Sequence, residues 1–177
     1  MVDSSTSPAA RTAPAEGLKL LGVTFAHCAL IARLHGLCFE DGWNSATVAQ
    51  VLRLAGAFGL LATLPERAPD GKPLPADAQT PVGFALVAGV LDERELLSLA
   101  VVPAHRRQGA ATALIDAVVE RVRSDGVTRL FLEVAEDNAG ARRLYASFGF
   151  EPIGRRPGYY SRRNAPPVDA ITLARAV

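Results

Sequence analysis

The spacing of apolar residues along the chain indicates several helices. From Ala111 onward, apolar positions follow the i, i+3, i+4, i+7, i+8 spacing of one helix face, at Leu114, Ile115, Val118, Val119 and Val122. Gly126 follows this stripe, and glycine commonly ends helices because it adopts a left-handed backbone at no steric cost. Further helices are predicted over 25–39, from Asn44 or Ser45 to about Leu54, and from Asn138 to Phe148.

Short apolar runs between these helices predict strands. They cover 18–23, 57–63, 82–90, 95–102, 127–134, 150–156 and 168–173. Five prolines and an Asp-Gly pair fall within 64–81, which predicts a long, mobile loop between two strands. Alternating strands and helices followed by a strand-rich C-terminal part indicate one α/β (α+β) domain with a mixed β-sheet.

Composition narrows the class of protein. The 177 residues are 49% hydrophobic, enough for one domain with a sizeable core. A net charge of +1 gives no overall basic field for nucleic acid, and no apolar run approaches the ~18 residues that span a bilayer. Residues 1–16, rich in Ser, Thr, Ala and Pro, predict a disordered tail before a domain over 17–177. Cys28 and Cys38 lack Cys-x-x-Cys spacing, and without an evident signal peptide they indicate reduced thiols in a cytoplasmic protein.

One stretch combines the features of an anion site. It runs over 99–114 and reads LAVVPAHRRQGAATAL. Pro103 ends the preceding strand because proline has no N–H for a strand ladder. The Gly-Ala-Ala run at 109–111 lets a ligand approach the backbone, and the unpaired N–H groups of the first helical turn favour a phosphate there. An ordinary strand-turn-helix with a pair of surface arginines is the alternative.

This stretch resembles the acetyl-CoA signature of the GNAT N-acetyltransferases. Arg106, Gly109 and Ala111 form Arg-x-x-Gly-x-Ala after a strand that ends in Val-x-Pro. Other motifs look like those of the RimI-type branch, the ribosomal-protein-alanine N-acetyltransferases, over roughly residues 17–173. They are Phe39-x-x-x-Trp43, Leu132-Glu133-Val134, Asn138, Leu144-Tyr145, Gly149-Phe150, Gly154-Arg155-Arg156, Tyr159-Tyr160 and Asp169-Ala170. The resemblance implies the GNAT fold, a central sheet flanked by helices, and acetylation of a protein N-terminal α-amine by acetyl-CoA.

The resemblance also implies which residues would hold acetyl-CoA. The pantetheine amides would pair like a neighbouring strand with the backbone of Leu99, Ala100 and Val101. The pyrophosphate would lie on the turn and helix start that follow, at Arg106, Arg107, Gln108, Gly109, Ala110, Ala111 and Thr112. Asn138 corresponds to the family's cofactor-contacting Asn, although helix capping is the commonest role of an Asn before a helix. Two departures are Ala111, where Gly is more usual, and the length of the loop over 64–81.

Glu133 and Tyr145 correspond to the family's general base and general acid. A peptide α-amine titrates near ~8, so one carboxylate acting directly or through a water would suffice to take its proton. Tyr145 would protonate the departing CoA sulfur in a direct transfer. From the residues alone, Glu133 could also be a solvent-facing strand position, because Arg129 and Phe131 share its parity. Tyr145 fits the apolar stripe of its helix, so packing is its alternative role.

The acceptor side has weaker motifs. Tyr159 and Tyr160 could hold an extended peptide, with Trp43 as a further substrate contact; a solvated loop and a packing anchor are the alternatives. The expected partner is a peptide or protein N-terminus, as in a ribosomal protein, with no direct binding of nucleic acid or membrane. Acetylation of a small amine or a lysine side chain, and acyl-CoA binding without catalysis, remain open. No metal is expected, because the three histidines have no companions at ligand spacing.

Overall fold

The computed structural model describes residues 12–66 and 78–177. Within these ranges, seven strands form one sheet, and four α-helices flank it. The strands are β1 (Lys19–Gly22), β2 (Phe58–Pro65), β3 (Gln79–Ala88), β4 (Glu93–Val101), β5 (Arg129–Ala135), β6 (Glu151–Arg162) and β7 (Ala165–Ala176). The helices are α1 (Cys28–Cys38), α2 (Ser45–Val51), α3 (Ala110–Ser124) and α4 (Ala139–Ser147).

The strand order is β1-β2-β3-β4-β5-β7-β6, and the predicted mixed sheet is confirmed. The β4–β5 pair is parallel, whereas the other described pairs are antiparallel. The parallel register starts at Glu93–Arg129 and ends at Leu96–Leu132. Beyond that point β4 stays paired with β3 and β5 with β7. The two strands therefore separate and open a cleft at their carboxyl ends, the place where open α/β sheets bind ligands.

Two apolar clusters hold the helices on opposite faces of the sheet. On one face, α3 buries its predicted stripe, in which Leu114, Ile115, Val118 and Val122 are fully buried. On the other face, α1 and α2 cover Phe84 of β3. Full burial of each large apolar side chain stabilises the fold by about 1.5–3 kcal/mol, so α3 is firmly attached to the strands that bound the cleft.

The helix ends follow the sequence closely. Asn44 caps α2 by accepting a hydrogen bond from the Thr47 N–H at 2.9 Å. Asn138 caps α4 in the same way, with the Ala141 N–H at 3.1 Å. Gly126 has φ 73° just after α3, the left-handed conformation that its predicted stop requires. These local predictions are confirmed.

The loop predicted over 64–81 is wrong at both ends. Strand β2 continues to Pro65 and β3 begins at Gln79, so Pro81 lies inside a strand opposite Thr63. The register shifts between Ala62 and Thr63, and such a bulge accommodates a residue that has no N–H to donate. The middle of the predicted loop, 67–77, lies outside the described residues.

Two further predictions need correction in length. The helix predicted over 25–39 begins as a 3₁₀ turn, Phe25–His27, before α1. The last two strands are longer than predicted and form a hairpin that turns at residues 163–164. Pro157 and Gly158 follow the predicted end of the first of these strands, and the longer strand absorbs them as a bulge. Residues 157–159 lie opposite Asp169 alone, between the Arg156–Ala170 and Tyr160–Val168 pairs.

Cys28 and Cys38 are free thiols, as predicted. Most of the tail predicted over 1–16 lies outside the described residues, and its disorder stays a prediction. The described Ala15 N–H donates to the Gln108 carbonyl at 2.9 Å. Among the described helices, none has the length and apolar character needed to cross a membrane.

Candidate active site

The first wall of the cleft is the end of β4. Leu99, Ala100 and Val101 lie past the last β4–β5 pair and remain bonded to β3 on one side only. Within the described ranges, no strand pairs with their other backbone edge. Backbone N–H and C=O groups need partners, so this edge is suited to an extended ligand that carries amides.

The turn after β4 is held by its own arginine. Arg106 Nε donates to the Val101 carbonyl at 3.0 Å, so this signature residue ties the turn to the strand. Arg107 is exposed and has φ 64°, an uncommon conformation for a residue with a side chain. Gln108 follows, and its side-chain Nε2 lies 3.4 Å from the Ala104 carbonyl.

The N-terminus of α3 has no side-chain cap, and Gly109 is the N-cap residue, with φ 78°. Its first-turn N–H groups are therefore available, and the helix dipole favours negative charge at this point. Ala110 and Thr112 are buried, while Ala111 is partly exposed.

Only glycine fits at position 109. A Cβ built on Gly109 would lie 2.2 Å from the Ala13 carbonyl oxygen. The described part of the N-terminal segment thus runs along the same turn that the sequence assigns to the pyrophosphate. No sequence pattern predicted this contact, because it joins residues nearly a hundred positions apart.

Glu133 stands at the fork between β4 and β5. It is the first residue of β5 after the last parallel pair, Leu96–Leu132. Its side chain is only 18% exposed, so the solvent-facing alternative does not describe it. Arg156 Nη1 lies 3.0 Å from one carboxylate oxygen and 3.1 Å from the other. The sequence marked both residues, but nothing in their spacing predicted the ion pair.

Tyr145 lies inside the core next to the cleft strands. It is 7% exposed and meets Phe150 edge to face, with ring centroids 5.8 Å apart. Burial raises the pKa of Tyr145, and the charge that Tyr160 can carry adds to this. The phenol therefore keeps its proton throughout neutral pH. The geometry is compatible with the packing role and with the proton-donor role together.

Tyr159 and Tyr160 lie on β6 and not in a solvated loop, which corrects that alternative. Their rings meet edge to face at 5.1 Å, and Tyr159 is 46% exposed. Burial, followed by the charge of Glu133, raises the pKa of Tyr160 to about 12. Tyr160 therefore lies near the Glu133 carboxylate and keeps its phenol proton at neutral pH.

Asp169 holds the bulge that carries these tyrosines. Its Oδ1 accepts the Gly158 N–H at 2.7 Å, and its Oδ2 accepts from Arg155 Nε. The Gly158 N–H first, and then Arg155, lower the pKa of the Asp169 carboxyl. In the sequence, Asp169 stood out only as part of the Asp169-Ala170 motif. The alternation of polar and apolar residues along β7 did not indicate that this carboxylate would hold the bulge.

The connection between α1 and α2 carries Trp43 and contacts the β6–β7 turn. Trp43 stacks on the buried ring of His35, and the Trp43 N–H donates to His35 Nδ1 at 3.1 Å. This confirms a packing role for Trp43. Glu40 in the same connection accepts the Arg163 N–H at 3.2 Å, which joins it to the β6–β7 turn. Trp43 and the tyrosine pair thus belong to two connected elements.

The described ranges contain no group of three or more His, Cys, Asp or Glu side chains that could hold a metal ion. The polar groups at the fork are instead the carboxylates of Glu133 and Glu95, the guanidinium of Arg156 and the phenols of Tyr159 and Tyr160. Such a set can move protons and orient an amine.

The model of the acetyltransferase (GNAT) family matches residues 30–150. The chain belongs to the GNAT family. The GNAT domain of this chain includes the open edge of β4 and the start of α3 that has no side-chain cap. The membership predicted from the signature stretch is confirmed.

Sequence relatives show which enzymes of the GNAT family this chain is similar to. The chain is 40% identical over 91 residues to the ribosomal protein bS18-alanine N-acetyltransferase of Escherichia coli (strain K12), covering 51% of this chain and 61% of that protein. It is 37% identical over 93 residues to the Haemophilus ducreyi enzyme of the same name, covering 52% and 64%. The match thus spans about three fifths of these relatives' length. The resemblance to the RimI-type branch is confirmed.

Solved structures extend the similarity over most of the GNAT domain. The crystal structure of the ribosomal-protein-S18-alanine N-acetyltransferase from Escherichia coli matches with a TM-score of 0.73 and 27% identity, covering 90% of this chain and 94% of that chain. Arabidopsis thaliana NAA60 in complex with a bisubstrate analogue matches with a TM-score of 0.74, covering 90% and 99%. At 21% identity, the second is a likeness of fold.

Proposed function

We propose that this chain transfers the acetyl group of acetyl-CoA to the N-terminal α-amine of a protein, with a ribosomal protein whose N-terminal residue is alanine as the acceptor class. One observation carries the proposal: a shielded carboxylate, Glu133, stands where β4 and β5 separate and faces the tyrosine pair on β6. The similarity to ribosomal-protein-alanine N-acetyltransferases supports the choice of acceptor.

The donor side fits acetyl-CoA. The free edge of β4 at 99–101 can pair with the two amides of pantetheine, and the uncapped start of α3 can bind the pyrophosphate. The space beside Gly109 is filled by Ala13 and Pro14, so a pyrophosphate bound there would require this N-terminal segment to move aside. Asn138, at the start of α4, lies after the other cleft strand and is exposed to a ligand there.

The proton transfers of the proposed reaction balance. Glu133 takes one proton from the α-ammonium, directly or through a water, and passes it to solvent. The freed amine lone pair attacks the thioester carbonyl carbon, and the C–S bond breaks. Tyr145 gives its hydroxyl proton to the departing sulfur, and its phenolate regains a proton from the new amide nitrogen. The net products are the acetylated N-terminus, CoA thiol and one released proton.

The different environments of Glu133 and Tyr145 suit them to accepting and donating a proton, respectively. Glu133, paired with Arg156, supplies the carboxylate that accepts a proton, whereas burial keeps Tyr145 protonated and able to donate one. An α-amine titrates more than two pH units below a lysine side chain. A single carboxylate is therefore sufficient for an N-terminus at neutral pH, and this favours the α-amine over lysine.

A panel of acceptors tests the proposal. We expect thiol release from acetyl-CoA with a hexapeptide that starts with alanine, and slower release with its N-terminally blocked form, with free lysine and with spermidine. Glu133→Gln should lower kcat by about 10²-fold or more because the base is lost. Glu120→Gln, on the exposed side of α3, is the matched control and should keep full activity. Faster turnover of lysine or spermidine than of every peptide would contradict the proposed acceptor, and acetyl-CoA binding without any turnover would contradict the enzyme.

A further inference from the structure

Arg156 covers the Glu133 carboxylate. One nitrogen, Nη1, lies within hydrogen-bond distance of both carboxylate oxygens, at 3.0 and 3.1 Å. The Arg156 side chain is 56% exposed and that of Glu133 only 18%, so the guanidinium lies between the carboxylate and solvent. A carboxylate that accepts hydrogen bonds from a cation is a weaker base than a free one.

This cover conflicts with the task proposed for Glu133. An acceptor N-terminus arrives as an ammonium ion, which also needs the carboxylate as its partner. Two cations compete for one carboxylate, and each repels the other at contact distance. The acceptor and Arg156 therefore exclude one another from the same oxygen atoms.

Arg156 has other partners close at hand. Its guanidinium carbon lies 4.0 Å from the ring centroid of Tyr159, a cation–π distance. Glu95 stands on the same face of the sheet as Glu133, opposite Phe131 in the parallel register. Partial desolvation and then the charge of Glu133 raise the pKa of Glu95, while Arg156 opposes this, so the three groups sense one another. Since the cluster has two carboxylates, Glu95 and Glu133, and one guanidinium, it offers a carboxylate partner to one further cation.

We propose that Arg156 is a positioning residue that covers Glu133 in the free protein and gives up that carboxylate, while keeping its contact with Tyr159, when the acceptor amine docks. The carboxylate is then exposed as a base only in the presence of an acceptor. This assignment rests on the proposed function, in which Glu133 is the base. It makes the tyrosine pair part of the control of the base as well as part of the peptide site.

Steady-state kinetics of Arg156→Gln with the alanine-starting hexapeptide test the proposal. At pH 8 we expect the KM for the peptide to fall about threefold or more, because the competing cation is gone, with kcat within about twofold of wild type. The change in kcat/KM should therefore come from KM alone, because Arg156 competes with the amine in the free enzyme and has already left the carboxylate in the acceptor-bound enzyme.

Two further variants separate the outcomes. Arg156→Lys keeps the cation and should restore the wild-type KM for the peptide. Arg121→Gln removes an exposed arginine that pairs with Asp125 on α3, and it should leave kcat and the peptide KM unchanged. If kcat of Arg156→Gln rises by the same factor as kcat/KM, Arg156 stays on Glu133 during turnover and the proposal is wrong. It is equally wrong if the peptide KM rises, or if kcat and KM both keep their wild-type values and only the melting temperature falls. Failure of the proposed base would appear separately, as full activity of Glu133→Gln.

Discussion

The ring of His35 lies parallel to the indole of Trp43, with centroids 4.7 Å apart and an interplanar angle of 15°. His35 Nδ1 accepts the backbone N–H of Trp43, so the neutral ring must carry its proton on Nε2. Phe39 contacts the same ring at 4.3 Å. One buried histidine therefore fixes the connection between α1 and α2 from both sides.

Stability should depend on the protonation of His35. Burial lowers the pKa of His35 from 6.5 to about 4. The unfolded chain thus binds a proton at this residue at a higher pH than the folded chain, so stability is fully present above pH 6.5 and declines as the pH falls towards 4. Thermal melting from pH 8 to pH 4 measures this. His35→Phe keeps an aromatic ring but cannot titrate, and should lose this part of the decline while melting lower at pH 8, because the Trp43 N–H loses its acceptor.

The matched control is His105→Gln, which removes a different histidine and should keep the wild-type decline. An unchanged pH dependence in His35→Phe would show that other groups cause the loss of stability.

Two asparagine caps allow capping to be separated from ligand binding. Asn44→Ala and Asn138→Ala each remove a side-chain acceptor from a helix N-terminus, and each should cost about 1 kcal/mol of unfolding free energy. Only Asn138→Ala should also raise the KM for acetyl-CoA, because only Asn138 borders the cleft. Urea denaturation and initial-rate kinetics measure the two effects. Equal acetyl-CoA constants in the two variants would leave Asn138 with the capping role alone.

Two glycines with a left-handed backbone separate conformational cost from close approach. Gly109 and Gly126 have φ 78° and 73°, so alanine at either position carries a backbone cost of about 1–2 kcal/mol. A Cβ at position 126 meets nothing within 4 Å, whereas one at 109 strikes the Ala13 carbonyl. We expect Gly109→Ala to be the less stable variant and to bind CoA at least tenfold more weakly, about 1.4 kcal/mol. Isothermal calorimetry checks this, and equal CoA affinity in both variants would contradict it.

Tyr145→Phe removes the proton donor and keeps the ring. Because the phenyl ring can still pack against Phe150, the melting temperature should change little. The kcat with the alanine-starting peptide should fall about 10²-fold, since the sulfur must leave without a proton. Tyr160→Phe should differ by raising the peptide KM with most of kcat retained. A kcat of Tyr145→Phe within twofold of wild type would assign Tyr145 to packing alone.

The local part of this structure could be predicted from the sequence. The stripe on α3 and the caps at Asn44 and Asn138 depend on neighbours three or four residues away, and such patterns are directly visible. The hairpin of β6 and β7 could not be predicted in full, because Pro157 and Gly158 look like a break until Asp169 is known to hold them.

The same distinction between local motifs and long-range contacts applies to the candidate site. The signature turn and Glu133 were recognisable because their motifs are contiguous. The Arg156–Glu133 ion pair joins residues 23 positions apart on different strands, and the contact of Ala13 with Gly109 is longer still in sequence. Such contacts follow from the register of the sheet, which the alternation of side chains does not determine across strands.

The fork at Leu96 and Leu132 has a mechanical consequence. Strands β1 to β4 and strands β5 to β7 are joined in the sheet through only four register pairs among the described residues. This short seam is a natural hinge. Beyond it, the β4 amide protons that face away from β3 lack the protection from exchange that a second neighbouring strand would give. An extended donor paired with that edge would act as a removable eighth strand. The stiffness of the sheet would then follow the supply of its own co-substrate.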